Sequence, residues 1–430
     1  MNEEGQRLII VVRADPVICG HAGEARNLAE TAAERGYSDI RLLTWPLKRI
    51  KAAGLPTKPI DSILPYSDPI VVERPEPVGD YRVPDGRFTT AMTGRLVELL
   101  SDGMPTTVMS MYLFPHMNVV ADAVTAARAS GLEVNVRTIA EAVGSDITNV
   151  VRSCVDEGRF GPAMVLFSTY LSQDVCVAVS KYTKDLIVDA SREVDAACGT
   201  NYTAQCEERV GVSYPAIDAP TFTDLALSEC ESVWQKRELT QDNYLLFLSR
   251  ISQAKGVDDL VLGYRSSKAY GHKPLIIAGN GPALEDLRLL VGDDPWIRIL
   301  TDVSDDEKTA LMYGCAGYLL PSKPRREFVE TFGIALAEKM LVGGLGPVIT
   351  TRTGGIPEAV GDCSLTIEPG DPAAIARAIN HATSEMSDLE KQALSARARS
   401  YAMQFDRNCV FDRLMERVPP FENEPLVANG

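Results

Sequence analysis

The chain is short of positive charge: 43 Lys and Arg stand against 59 Asp and Glu over 430 residues, a formal net charge of −16. That balance argues against nucleic-acid binding and against electrostatic docking on an anionic bilayer, both of which need basic surface. Long apolar runs are missing as well. None approaches the roughly 18 residues of a spanning helix, and the polar, acidic start Met1–Gln6 has neither the basic region nor the apolar core of a secretory signal. The nine cysteines (19, 154, 176, 198, 206, 230, 315, 363 and 409) are odd in number and scattered. They form no Cys-x-x-Cys and no Cys/His set at zinc spacing, so free thiols in a reducing cytoplasm are expected. Asp-x-Asp occurs nowhere. No metal and no cofactor is expected on these grounds.

What is present is an ordinary globular composition, 45% hydrophobic and 24% charged, long enough for two or three domains. Leu8–Val12 is a β-branched apolar run of the kind buried in parallel sheets. A glycine-containing loop, Cys19–Gly23, a helix-period stretch Glu24–Arg35 and a second strand at Ile40–Leu43 complete a βαβ unit. Residues 51–90 are Pro-rich and read as loops with short pieces of structure. The alternation resumes at Thr107–Met111, Asn118–Ala129 and Val134–Arg137, then continues through helical 145–170 to Val175–Val179 and Thr183–Ala190. Residues 191–243 break the rhythm. A second βα alternation starts at Tyr244–Leu248 and runs to a helix ending at Gln404, and Asp406–Arg417 is amphipathic. The expected architecture is α/β: two doubly wound domains facing across a cleft, at 1–228 and 243–404. A helix at 405–418 would return to the first domain, and 419–430 would be a flexible tail.

Ligands of open α/β sheets bind beyond the carboxyl ends of the strands. After Tyr244–Leu248 comes Ser249-Arg250-Ile251-Ser252-Gln253-Ala254-Lys255-Gly256, two cations on one exposed loop ahead of a helix, as a diphosphate requires; an ordinary charged loop would read the same. After Leu275–Ala278 comes Gly279-Asn280-Gly281-Pro282, where glycines permit close backbone approach, to a ligand or within a plain tight turn. After Leu319–Ser322 comes Glu330-Thr331-Phe332-Gly333-Ile334-Ala335-Leu336-Ala337-Glu338. Its two carboxylates suit sugar or ribose hydroxyls, and the helix start between them offers unpaired N–H groups. Alternatively Glu330 is a helix-start acid and Glu338 a solvated one. His21 and His116 follow strands, but structural or surface roles are favoured for both, as for His272 and His381.

Taken together, Ser249-Arg250…Lys255-Gly256, Gly279-Asn280-Gly281-Pro282, Glu330-x7-Glu338 and Thr353-Gly354-Gly355-Ile356-Pro357-Glu358 resemble family 4 of the retaining glycosyltransferases, densely from about 244 to 405 and thinly before. The resemblance implies the GT-B architecture and a nucleoside-diphosphate sugar donor, UDP-linked, held mainly by the second domain. It further implies an acceptor held mainly by the first domain and front-face displacement; the acidic chain makes small polar acceptors of specialised-metabolite biosynthesis the expectation, and the missing Asp-x-Asp makes transfer without a metal the expectation. It makes Arg250 and Lys255 the neutralisers of the departing diphosphate, Glu330 a contact to the donor sugar and Glu338 a contact to the ribose. Backbone at Thr331, Phe332, Gly333 and Ile334 would bind sugar hydroxyls and phosphate, with Gly279 and Gly281 near the donor and Gly20 approaching the diphosphate. The chain departs from the family after Val134–Arg137, where a His is common and Arg137-Thr138-Ile139-Ala140-Glu141 stands instead. A nucleotide-sugar epimerase, a phosphorylase and a non-enzymatic sugar-binding protein are the alternatives.

Overall fold

The computed structural model describes residues 5–77, 86–326 and 328–421; the tail expected beyond 421 and Glu327 lie outside them. Two parallel sheets organise the chain. The first holds β1 (Arg7–Val11), β2 (Asp39–Leu43), β3 (Ile70–Glu73), β4 (Thr106–Met111), β5 (Val136–Ala142), β6 (Val175–Ala178) and β7 (Val210–Val212), in the order β3-β2-β1-β4-β5-β6-β7. The second holds β8 (Leu245–Leu248), β9 (Leu275–Ala278), β10 (Ile297–Leu300), β11 (Gly317–Leu320), β12 (Val348–Thr351) and β13 (Leu365–Ile367), in the order β10-β9-β8-β11-β12-β13. In each sheet the winding reverses beside the first strand, between β1 and β4 and between β8 and β11. Loops diverge at such a switch point and leave a crevice.

β1 shows why the first sheet forms. All five of its residues are buried. Leu8 and Ile10 enter one core with Leu28, Ile40 and Met109, while Ile9 and Val11 enter another with Met92, Leu96 and Val120. Both faces are covered, so the run is continuously apolar rather than alternating. Leu8 pairs with Ile40 on one side and Thr107 on the other.

By contacts the chain divides into Met1–Ile217 with Arg407–Gly430, and Asp218–Asp406. The helix Arg407–Met415 packs on the helix Gly20–Glu34 of the first unit. Arg35 pairs with Asp412 at 2.8 Å, and the Phe411 ring meets Tyr37 edge-on at 6.0 Å. The first unit closes at Ile217 rather than 228 because the helix Leu227–Lys236 is anchored in the second. Its Trp234 donates to the Ala310 carbonyl at 3.0 Å and lies over Gly314, where even a methyl would meet the indole at 2.6 Å.

Three local readings change. Residues Arg137–Glu141, read as strand end and loop, lie within β5, which runs to Ala142. A 15-residue helix, Gly86–Leu100, begins inside the Pro-rich segment 51–90 that read as loops. The first helix starts at Gly20 rather than Glu24, with the Cys19 thiol accepting from Ala22 N–H at 3.3 Å. Its glycines are poor helix formers, and tertiary context overrides that preference.

Candidate functional site

In the second unit the loops after β8 and β11 flank the switch point, and they are tied together. Lys323 N–H bonds the Ala254 carbonyl at 2.9 Å, and the Lys323 ammonium pairs with Asp258 at 2.8 Å and Asp259 at 2.7 Å. Gly256, at φ 67°, passes so close to Pro321 that a Cβ would lie 2.0 Å from its carbonyl oxygen. The same join closes a side-chain pair: the Lys255 ammonium contacts the Glu330 carboxylate. Their side chains are only 13% and 10% exposed, and Lys255 also lies 5.4 Å from the Phe328 ring centre. Lys255 is therefore not the exposed cation expected from the sequence. Arg250 is exposed, and among the described residues it makes no ion pair. It projects from a stretch pinned on both sides, by Ser249 N–H to the Ala278 carbonyl at 3.2 Å and Ile251 N–H to that of Asn280 at 2.8 Å.

Gly279 and Gly281 have a structural purpose that their sequence alone left open. A Cβ on Gly279 would sit 2.0 Å from the Ser249 carbonyl oxygen, and one on Gly281 2.1 Å from that of Ile251. The close approach is to the chain's own loop after β8, so these glycines seat Arg250 and need no ligand to account for them. The Thr353-Gly354-Gly355 turn does the same for the other loop, with Gly355 N–H bonding the Glu330 carbonyl at 2.9 Å.

Beyond Glu330 the segment leads into the helix Ile334–Val342, with Gly333 as its N-cap. The first N–H groups of that helix have no intrahelical acceptor and point out of its N-terminus. Thr331 is half-buried ahead of it. Phe332 is a core residue, 2% exposed, its ring edge-on to Phe405 at 4.9 Å. Glu338, one turn into the helix, pairs with Lys308 at 2.6 Å with its side chain 13% exposed. It is neither a solvated surface acid nor free, and Lys308 in turn lies 5.4 Å from the Phe222 ring centre.

In the first unit Gly20 opens the helix Gly20–Glu34, and the next residue belongs to a cluster that sequence reasoning missed. His21 Nδ1 lies 3.0 Å from Glu24 Oε2. Ligand atoms of His21, Glu24 and Glu141 all lie within 4.8 Å of one another. Glu24 is 2% exposed and Glu141 1%. The other Glu24 oxygen accepts from Ala216 N–H at 3.3 Å, whereas both Glu141 oxygens are buried without a hydrogen-bond partner. Burial, and then the charges of Glu24 and Asp146, push the Glu141 carboxyl well above its usual range. Asp146 is better served, accepting from the N–H groups of Leu113, Val143, Gly144 and Ile147. The sequence carried one signal, a glutamate inside the apolar run Ile139–Val143, but Glu141 and His21 are far apart in the chain.

His116 is structural. It is fully buried, with Nδ1 donating to the Met111 carbonyl at 2.6 Å and Nε2 accepting from Trp45 Nε1 at 3.0 Å. Burial pulls its pKa down to about 3 despite the Met111 bond, so the ring stays neutral. Among the described residues no helix is long and apolar enough to cross a membrane.

Comparison with known proteins agrees with this architecture. Residues 230–401 match the family described as Glycosyl transferases group 1. Over 213 residues the chain is 29% identical to O-antigen chain mannosyltransferase B of Escherichia coli, covering 46% of this chain and 53% of that protein. The chain spans about half the length of the curated relatives it matches. Among solved structures, Anabaena HepE in complex with UDP-glucose superposes with a TM-score of 0.67 at 16% identity, covering 95% of this chain and 98% of that one. An alpha,alpha-trehalose-phosphate synthase (UDP-forming) from Burkholderia xenovorans, in complex with glucose-6-phosphate, gives 0.67 at 12% identity, covering 96% and 100%. The two doubly wound units are thus a GT-B fold, and residues 230–401 match the model of the Glycosyl transferases group 1 family.

Proposed function

We propose that the chain is a retaining glycosyltransferase that moves a sugar from a UDP-linked donor to a small polar acceptor, in specialised-metabolite biosynthesis. The observation that carries the reading is the Lys255–Glu330 pair across the β8/β11 switch point, with exposed Arg250 beside it. One cation is held ready and one is open to solvent, next to a helix N-terminus. That combination suits a diphosphate, whose charge both cations and the helix dipole would stabilise. The names of the relatives, a mannosyltransferase and a structure holding UDP-glucose, fit the same chemistry.

In this reading the acceptor hydroxyl oxygen bonds to the anomeric carbon as the bond from that carbon to the diphosphate oxygen breaks on the same face. The hydroxyl proton passes to the departing diphosphate, which leaves as UDP. No side chain is required as a general base. Arg250 and Lys255 take the growing charge in place of a bridging metal. Glu330 holds Lys255 and meets a donor-sugar hydroxyl, so it is a positioning group rather than a nucleophile. Glu338, fixed by Lys308, accepts from the ribose.

The test is thermal unfolding with UDP-, GDP- and ADP-sugars. A UDP-sugar at 100 times its dissociation constant should stabilise the protein by about 2.7 kcal/mol, equally in EDTA and in Mg2+. Stabilisation by free sugar but by no nucleotide would make this a sugar-binding protein. Rearranged sugar released from donor alone would make it an epimerase.

A further inference from the structure

We infer that His21, Glu24 and Glu141 form a binding site for one divalent transition-metal cation in the first unit. The inference is independent of the donor site. Two observations support it. The three ligand atoms lie within 4.8 Å of one another, a span that small side-chain rotations close onto a cation bound at roughly 2.0–2.2 Å from each. Glu141, 1% exposed, has both oxygens buried and unpartnered. A buried carboxylate is ordinarily paired or bound to metal, and the other residues of the cluster give Glu141 no donor.

The cluster is also placed for this role. His21 and Glu24 share one face of the helix Gly20–Glu34, and Glu141 comes from the carboxyl end of β5. The Ala216 N–H fixes one Glu24 oxygen and leaves Oε2 toward His21. The Tyr112 ring packs edge-on against the imidazole at 5.3 Å, which sets its orientation. Glu24 and Glu141 are nearly inaccessible while the His21 side chain is 17% exposed, so an ion enters past His21. One imidazole with two carboxylates favours Mn2+, Fe2+ or Zn2+ over Mg2+ and Ca2+, which prefer all-oxygen sites.

Mn2+ is the suitable probe, because the exposed thiols of Cys198 and Cys409 would capture softer Zn2+. Titration of the full chain with Mn2+, followed by calorimetry and by loss of the free-ion electron paramagnetic resonance signal, should give one equivalent bound. Mg2+ should compete weakly. Glu141→Gln and His21→Ala should each weaken Mn2+ binding by about 100-fold, roughly 2.7 kcal/mol. Circular dichroism would check that each variant folds. If Glu141→Gln does not fold, His21→Ala, altered at the partly exposed ligand, decides between site and no site. No stoichiometric Mn2+ uptake by the unaltered chain would overturn the site, as would equal uptake by the chain and the folded variants.

Discussion

Lys255 and Glu330 lie 75 residues apart and close an ion pair over the β8/β11 switch point. Their side chains are almost buried, so each is the other's main compensation for leaving water. Removing one partner leaves an uncompensated charge, which costs about 3–5 kcal/mol in buried pairs. Lys255→Ala should therefore lower stability toward urea by a few kcal/mol, and the double variant Lys255→Ala/Glu330→Gln by less than the sum of the singles. Additive losses would show that the two groups do not interact in solution.

Arg250 should behave in the opposite way. Being exposed, it contributes little to folding, about 0–1 kcal/mol. If it meets the departing diphosphate, Arg250→Ala should cost about 10²–10³ in kcat, the effect of one preorganised electrostatic partner. Normal turnover at saturating donor would remove Arg250 from the reaction.

Glu338 should act on donor affinity more than on turnover. A hydrogen bond from the ribose to a charged carboxylate is worth about 1.5–3 kcal/mol, so Glu338→Gln should raise the donor KM by roughly 10- to 100-fold with little change in kcat. The same variant should leave binding of a sugar lacking the nucleoside unaltered. An unchanged donor KM would reduce Glu338 to a structural partner of Lys308.

Acid stability gives a check that is independent of catalysis. Burial would raise the Glu307 carboxyl pKa, but hydrogen bonds from Arg237, Lys236 and the Ser304 backbone outweigh it and bring the value down to about 2. A folded-state pKa below the unfolded one means stability that is present above the unfolded value and lost as pH falls through the folded one. Glu307→Gln should cost about 1–2 kcal/mol at pH 7, since the exposed Lys236 partner is screened by solvent, and the difference from the unaltered chain should shrink between about pH 4.5 and 2. A difference that stays constant over that range would show that the carboxylate charge contributes nothing.

The two alternations were legible because parallel strands buried on both faces write continuous apolar runs such as Leu8–Val12 and Leu275–Ala278. The candidate segments could be placed in the fold because they follow those strands. What remained hidden was pairing at a distance. That Lys255 is nearly buried depends on the join of the β8 and β11 loops, and Lys308 reaches Glu338 from a separate helix. Gly86–Leu100 escaped notice because it begins with Gly in a Pro-rich stretch, and β5 was expected to end at Arg137 because Arg137, Thr138 and the glutamate at 141 interrupt its apolar run. That glutamate, Glu141, is also the residue the first unit's cluster turns on.

The most direct test of the proposed activity is the anomeric configuration of the product. The unaltered chain would be incubated with the UDP-α-sugar that stabilises it most and a panel of polyol and aminocyclitol acceptors. The new linkage would be read by NMR at the first detectable turnover. Front-face displacement at the Arg250, Lys255 and Glu330 site predicts an α-linked product. A β-linked product would contradict the retaining mechanism while leaving the GT-B fold in place.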